Sequence, residues 1–293
     1  MNTTLTALNK ALATASAAAT AATVSIGRDG RASGVVVADG VVLTNAHALR
    51  ATTTQVRFAD GRIVQAEVRG TDADGDLITL AVDTAGVIPL TWAATDAAPA
   101  AGHMVLAAHG DGSVAVGNIA ATGRTFPGPR GRSIVDALEH TASLARGASG
   151  GPLVDLDGKL VGINTNRTDA GYQAIDLTGE ARARVEALVG GRSFHRKQLG
   201  VALASASTTA AVRKAAGLPE VVGLLVRAVS EGSPAANAGL TEGDVITSGR
   251  GTTTDSLDAL ARVLDTSDDT IAFTVVRGTD ERTVVVSFVT AAE

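Results

Sequence analysis

Ser149 lies in the run Arg146-Gly147-Ala148-Ser149-Gly150-Gly151-Pro152-Leu153. Gly147 and Gly150 remove the side chains that would crowd a sharp turn there. The backbone N–H groups of Gly147 and Ser149 can then converge on one point, where an oxyanion could develop. A serine hydroxyl is a weak nucleophile at neutral pH and needs a base, usually a histidine oriented by a carboxylate. In a chain with 33 glycines the run reads equally well as a turn between strands. Its meaning rests on partners elsewhere in the chain.

Five histidines are available, at 47, 103, 109, 140 and 195. His47 closes the apolar run Val41-Val42-Leu43-Thr44-Asn45-Ala46-His47, which predicts a histidine held at a strand terminus. By itself it reads more readily as a core histidine. Asp76 opens the run Leu77-Ile78-Thr79-Leu80-Ala81, at the mouth of an apolar strand where a charge is costly to bury unless paired. By itself it reads as a loop aspartate, like Asp72 and Asp74. His47, Asp76 and Ser149 in that chain order are far more specific together than any one alone. His103 and His140 lie in or near expected strands, His109 in a glycine-rich turn and His195 in a polar stretch; none sits in a motif. Without cysteine or paired histidines a structural zinc is improbable. No phosphate-loop or dinucleotide fingerprint occurs. No metal or organic cofactor is implied.

The elements that must carry these residues are short. Aromatic residues make up 2% of the chain while alanine, glycine, valine and threonine dominate, so its cores must use small and β-branched side chains, which favour strands. Leucines at 5, 8 and 12 predict one face of an N-terminal helix over 4–21, packed on the body. Strands are expected at 34–38 and 40–44 around the Asp39-Gly40 turn, then at 54–58, 62–69, 77–82, 103–108, 112–122, 133–138, 152–155, 159–164 and 171–176. That spacing indicates an all-β sandwich or barrel. A helix over 179–189 ends at Gly190-Gly191, and the polar stretch 192–197 reads as a linker. Beyond it, strands (199–204, 223–229, 244–248, 270–277, 282–289) mix with helices (208–216, 234–238, 255–264). The expected organisation is therefore 1–22 helical, 23–191 β and 192–293 α+β.

Leu43-Thr44-Asn45-Ala46-His47 resembles the Leu-Thr-Asn-x-His motif of the HtrA/Deg serine proteases. Thr71–Leu77 is similar to the segment carrying their triad aspartate, and Gly147–Leu153 resembles their Gly-Asn-Ser-Gly-Gly-Pro-Leu. Val161-Gly162-Ile163-Asn164-Thr165 resembles the strand beyond the nucleophile. Gly232–Leu240 with Glu242-Gly243-Asp244-Val245-Ile246 resembles the middle of a PDZ domain. The resemblance implies a mainly β fold of two six-stranded chymotrypsin-like barrels followed by a smaller α+β PDZ domain. It also implies a carboxylate-binding loop at Leu199, Gly200 and Val201, walled by Leu257, Leu260 and Leu264, and a specificity-pocket wall at Ser143 and Leu144. Two departures stand out: Ala145-Arg146 replaces the usual Asn-Pro, and Ala148 replaces asparagine.

The expected function is that of a serine endopeptidase acting on unfolded or exposed polypeptide, with catalytic His47, Asp76 and Ser149 and an oxyanion hole at Gly147 and Ser149. C-terminal peptides are the expected PDZ partners. An uncharged Ser143 predicts cleavage after small or medium apolar residues, because burying an unpaired cation would be costly. Two rivals remain open: a chaperone-like binding module with a weak or inactive protease domain, and an esterase-like acyl transferase. The net charge of −5 argues against nucleic acid, and no apolar window is long enough for a membrane span. A homotrimer fits the family, though aromatic contacts that hold such trimers are not evident in this N-terminus. The start of the chain lacks a signal-peptide core, so a cytoplasmic location is expected, or a periplasmic or secreted one if the chain is a processed form.

Overall fold

The computed structural model describes residues 3–95, 99–128, 133–168, 171–194, 197–264 and 269–288. The chain divides into two compact units, Met1–His195 and Arg196–Glu293.

The first unit opens with α1 (Thr3–Ala22), which runs straight into a six-stranded barrel. Its strands are β1 (Thr23–Ile26), β2 (Ala32–Ala38), β3 (Val41–Thr44), β4 (Thr53–Arg57), β5 (Ile63–Asp72) and β6 (Leu77–Ala81), closed in the order β1-β2-β3-β6-β5-β4. β1 returns to β4 through Ser25↔Arg57 and Ile26↔Val56, so no edge is left open. A second barrel holds β7 (Met104–Ala108), β8 (Val114–Pro127), β9 (Ser133–His140), β10 (Pro152–Val154), β11 (Leu160–Arg167) and β12 (Tyr172–Asp176). It closes in the order β10-β11-β12-β9-β8-β7, and α2 (Glu180–Val189) follows.

The β2–β3 hairpin shows why apolar runs here are continuous rather than alternating. Val36 and Val42 pack inside the first barrel with Val24, Val56 and Leu80. Their neighbours Val35, Val37, Val41 and Leu43 point the other way, into a cluster shared with Leu106, Leu160 and Ile163 of the second barrel. Both faces are buried, so both must be apolar. Valine suits that demand because its branched Cβ fits the pleated surface and its small volume fits a narrow interior.

The second unit is a sheet ordered β13-β14-β15-β17-β18, formed by β13 (Val201–Ala204), β14 (Leu224–Val229), β15 (Asp244–Gly249), β17 (Thr270–Arg277) and β18 (Asp280–Ser287). A short β16 (Thr252–Thr253) pairs with β15. Helices α3 (Ala206–Ala215), α4 (Pro234–Asn237) and α5 (Leu257–Leu264) complete it around a core that includes Leu224, Val226, Ile246, Leu260 and Phe273. Buried Asp244 is paired with Arg277 at 2.7 Å and Arg282 at 3.1 Å, across the start of β15 and the β17–β18 hairpin.

Two leucines expected to pack do not. The stripe of Leu5, Leu8 and Leu12 continues along the same face of α1 as Ala15, Ala19 and Ala22, and Leu12 and the three alanines pack on the core, while Leu5 is 58% exposed. Close approach of helix to barrel requires small residues, and Ala15 lies against Gly158 of the β10–β11 turn. Leu257 is 60% exposed and stands apart from Leu260 and Leu264, which do line the groove beside β13. Ala19→Leu should destabilise the first unit by about 1–3 kcal/mol through overpacking, whereas Leu5→Ala should change it by less than about 0.5 kcal/mol. Urea unfolding of both variants checks the assignment of the buried face.

Candidate active site

His47 does not end a strand. β3 stops at Thr44, and Ala46–Ala48 form a single 3-10 turn that swings the imidazole out of the barrel. Buried Asn45 starts the turn, its Nδ2 donating to the Asp76 carbonyl at 3.1 Å. The Ala46 N–H reaches the same carbonyl at 3.1 Å. These two bonds anchor Asp76 at φ 56°, a left-handed conformation that aspartate tolerates better than most residues. The pinned backbone directs the Asp76 carboxylate back at the 3-10 turn.

That carboxylate is fully buried and collects three donors. The His47 N–H reaches Oδ1 at 3.0 Å, His47 Nδ1 lies 2.8 Å from Oδ2, and Thr165 Oγ1 donates to Oδ2 at 2.9 Å. Thr165 comes from β11, so the second barrel contributes to orienting the first barrel's histidine. The bond to Asp76, opposed by partial burial, raises the imidazole pKa above its ordinary 6.5. With Nδ1–H committed to Asp76, neutral His47 presents a basic Nε2 away from the carboxylate. Asp72 is not a plain loop aspartate. It is buried, accepts the Gly75 N–H at 3.0 Å and pairs with Arg184 at 2.7 Å, which fixes the turn leading into Asp76.

Ser149 sits half-buried in a turn made rigid by one buried residue, Ser33 of β2. Ser33 Oγ donates to the Gly147 carbonyl at 2.7 Å and accepts the Gly110 N–H at 2.9 Å. Its own N–H donates to the Ser149 carbonyl at 2.8 Å, and its carbonyl accepts Thr44 Oγ1 at 2.6 Å. A Cβ on Gly150 would collide with Thr44 Oγ1 and the Ser33 carbonyl, and one on Gly147 would collide with the Gly30 carbonyl. The turn Ala145–Ala148 is closed by Ala148 N–H to the Ala145 carbonyl at 3.2 Å, with Gly147 at φ 84°, the third position of a type II turn. Among the described residues neither the Gly147 N–H nor the Ser149 N–H donates to a protein acceptor. The Ser149 hydroxyl donates to the Thr165 carbonyl at 3.0 Å rather than to His47.

The other sequence-derived positions fall into place around this centre. Ser143 is exposed, its Oγ 3.4 Å from the Tyr172 hydroxyl, and Leu144 packs on the second barrel's core. His140, behind Tyr172, has both ring nitrogens buried, and burial, opposed in part by Asn164 beside the ring, pushes its pKa down to about 4. Burial likewise lowers His109, which pairs with Ser113, while His103 accepts the Ala100 N–H. His195 lies outside the described residues. In the second unit Leu199, Gly200 and Val201 line a groove of 270 Å³ with Leu203, Leu260 and Leu264. Among the described residues β13 pairs with β14 alone, so its outer edge is open beside that groove.

Ser33, Thr44 and Thr165 were given no role from sequence. Their signal is weak there, because a buried hydroxyl within a strand reads as an ordinary β residue. An NMR titration should place the His47 pKa above 6.5, and Asp76→Asn should lower it, since the carboxylate that stabilises the charged ring is removed. An unchanged value in Asp76→Asn would show that the pair does not control the imidazole.

A trypsin-like peptidase domain model matches residues 32–163, and a PDZ domain model matches residues 225–277. The chain is 30% identical over 258 residues to HhoA of a Synechocystis species, covering 80% of this chain and 64% of that protein. It is 30% identical over 236 residues to the mitochondrial serine protease HTRA2 of Drosophila pseudoobscura, covering 73% of this chain and 55% of that protein. The chain thus spans roughly half to two thirds of the length of the curated relatives it matches. Among solved structures, the HtrA-type protease AlgW with a decapeptide superposes at TM-score 0.60 and 25% identity, covering 94% of this chain and 97% of that one. A serine endoprotease from Yersinia pestis superposes at 0.62 and 27%, covering 96% of each chain.

Proposed function

The chain belongs to the HtrA/Deg family, with a trypsin-like peptidase domain and a PDZ domain, and from that membership we propose that it is a serine endopeptidase acting on unfolded or exposed polypeptide. One observation carries the reading. A buried carboxylate clamps His47 in a single orientation and is tied through Thr165 to a serine whose turn presents backbone N–H groups that, among the described residues, are uncommitted.

In the proposed reaction Ser149 Oγ leaves the Thr165 carbonyl by rotation about χ1 and turns to His47 Nε2. Resting contacts of this kind commonly tighten only in the substrate complex. His47 accepts the hydroxyl proton as Oγ bonds to the scissile carbonyl carbon. The carbonyl oxygen becomes an oxyanion facing the Gly147 and Ser149 N–H groups, a contribution of about 3 kcal/mol per donor in a comparable protease. His47 then passes the proton to the leaving amine, and a water repeats the cycle on the acyl-enzyme. Asp76 holds the ring tautomer and stabilises the imidazolium. The Ala148 side chain is no obstacle to this geometry, because the oxyanion donors are backbone groups.

The uncharged Ser143 and Leu144 wall supports cleavage after Val, Ala or Leu. The open β13 edge, with the loop Leu199–Val201 and an apolar wall from Leu260 and Leu264, supports capture of an extended C-terminal peptide as an added strand. Degradation of misfolded chains, with peptide binding in this groove tuning the rate, is the role we assign to the two units together.

Casein should be cleaved by wild type and left intact by Ser149→Ala, with at least about a 10⁴-fold loss, while Ser149→Ala still binds C-terminal peptides. If both proteins are inert and both bind peptide, the binding-module reading replaces this one. The base must be neutral, so kcat/KM should rise with pH through an apparent pKa above 6.5. Ser33→Ala should lower kcat and cost about 1–3 kcal/mol of stability, because the Gly147 carbonyl loses its buried donor. A peptide library showing strong preference for Arg at the cut would refute the apolar-pocket assignment.

A further inference from the structure

Next to the active centre the first barrel carries a cavity of 350 Å³ whose lining includes Gly27, Arg28, Arg31, Leu49, Arg50 and Gln55. Two elements already tied to the chemistry frame it. Leu49 and Arg50 directly follow the 3-10 turn that carries His47. Gly27, Arg28 and Arg31 belong to the β1–β2 connection, whose Gly30 carbonyl sits against Gly147. That connection is fixed in place by the Gly27 N–H bond to the Gln55 carbonyl at 2.8 Å, and the Arg31 stem folds back over Gly27.

This position defines which part of a substrate would cross the cavity. Ser143 and Leu144, which would wall the pocket for the residue before the cut, belong to the second barrel. The proton from His47 goes to the amine on the other side of the cut. The leaving segment therefore runs past His47 and over the first barrel's loops, which is where the cavity lies.

Its charge is unusual for this chain. The net charge is −5, yet three arginines line this one cavity. All three are exposed, and among the described residues none has an ion-pair or hydrogen-bond partner. Asp29, between Arg28 and Arg31, is exposed, and no ion pair with either is found among the described residues. Like charges around one concavity repel one another, an entering anion relieves that repulsion, and a fork of N–H donors suits a carboxylate.

We infer that Arg28, Arg31 and Arg50 select substrates with Asp or Glu in the first few positions after the scissile bond. The inference rests on the endopeptidase reading above and adds to it a specificity on the leaving-group side.

Three internally quenched peptides, identical up to a Val at the cut and continuing as Ala-Glu-Glu-Asp, Ala-Ala-Ala-Ala or Ala-Lys-Lys-Arg, provide the test. The acidic peptide should show kcat/KM about tenfold above the neutral one, with the basic one lowest, since each exposed pair contributes modestly. The spread should shrink at about 1 M salt, where screening acts within about 3 Å. The variant Arg28→Glu/Arg31→Glu/Arg50→Glu should invert the order, an outcome that loss of folding cannot produce. The variant Arg28→Lys/Arg31→Lys/Arg50→Lys should keep the acidic preference. Equal rates on all three peptides, or an order unchanged in the charge-reversed variant, would overturn the inference and leave the endopeptidase reading standing. Failure to cleave any of the peptides or casein would remove that reading, and this one with it.

Discussion

The Asp76 carboxylate is the constraint on which the site depends. A fully buried carboxylate is stable only when its lone pairs are occupied, and here the donors come from the His47 backbone, the His47 ring and Thr165. Two of these lie on the first barrel and one on the second. Satisfying one buried charge therefore sets the orientation of the imidazole and ties the Thr165 strand to it. The same strand segment offers its carbonyl to the Ser149 hydroxyl. Base, carboxylate and nucleophile are positioned by a single hydrogen-bonded knot rather than by three independent loops.

Ser33 plays the corresponding part for the oxyanion side. Every polar group it has is used: hydroxyl as donor and acceptor, N–H on the Ser149 carbonyl, carbonyl on Thr44. By holding the Gly147 and Ser149 carbonyls on the inward side, it leaves their N–H groups uncommitted. The glycines at 147 and 150 are required by contact as much as by conformation, because a Cβ at either would strike first-barrel backbone or Thr44. The Arg146 and Ala148 departures fall at positions whose side chains the network does not use.

Much of the fold was legible because short β-branched runs punctuated by glycine and aspartate leave few alternatives to closed antiparallel sheets. The described strands follow the apolar runs closely, and each barrel closes with six. Where expectation failed, tertiary contact outweighed local pattern. The leucines of α1 continue as one stripe into Ala15, Ala19 and Ala22, yet the close contact forms at the alanine end, from Leu12 onward, and leaves Leu5 exposed. The apolar run through Ala46 implied a strand up to His47, but the Asp76 carbonyl captures Asn45 and Ala46 and bends the chain into a 3-10 turn.

From the residues alone came the chemistry: a serine among glycines, a histidine and an aspartate in one chain order, and the motifs of an HtrA/Deg protease with a PDZ domain. Residue type and local spacing suffice for that, because nucleophile, base and carboxylate are identified by their functional groups. Only the tertiary structure decided how those groups are held. Thr165 and Ser33 act through bonds spanning 89 and 114 positions, distances over which no local pattern signals a partner. The gathering of Arg28, Arg31 and Arg50 around one concavity is of the same kind. Charge is additive along a sequence, but its local field depends on which loops the barrel brings together.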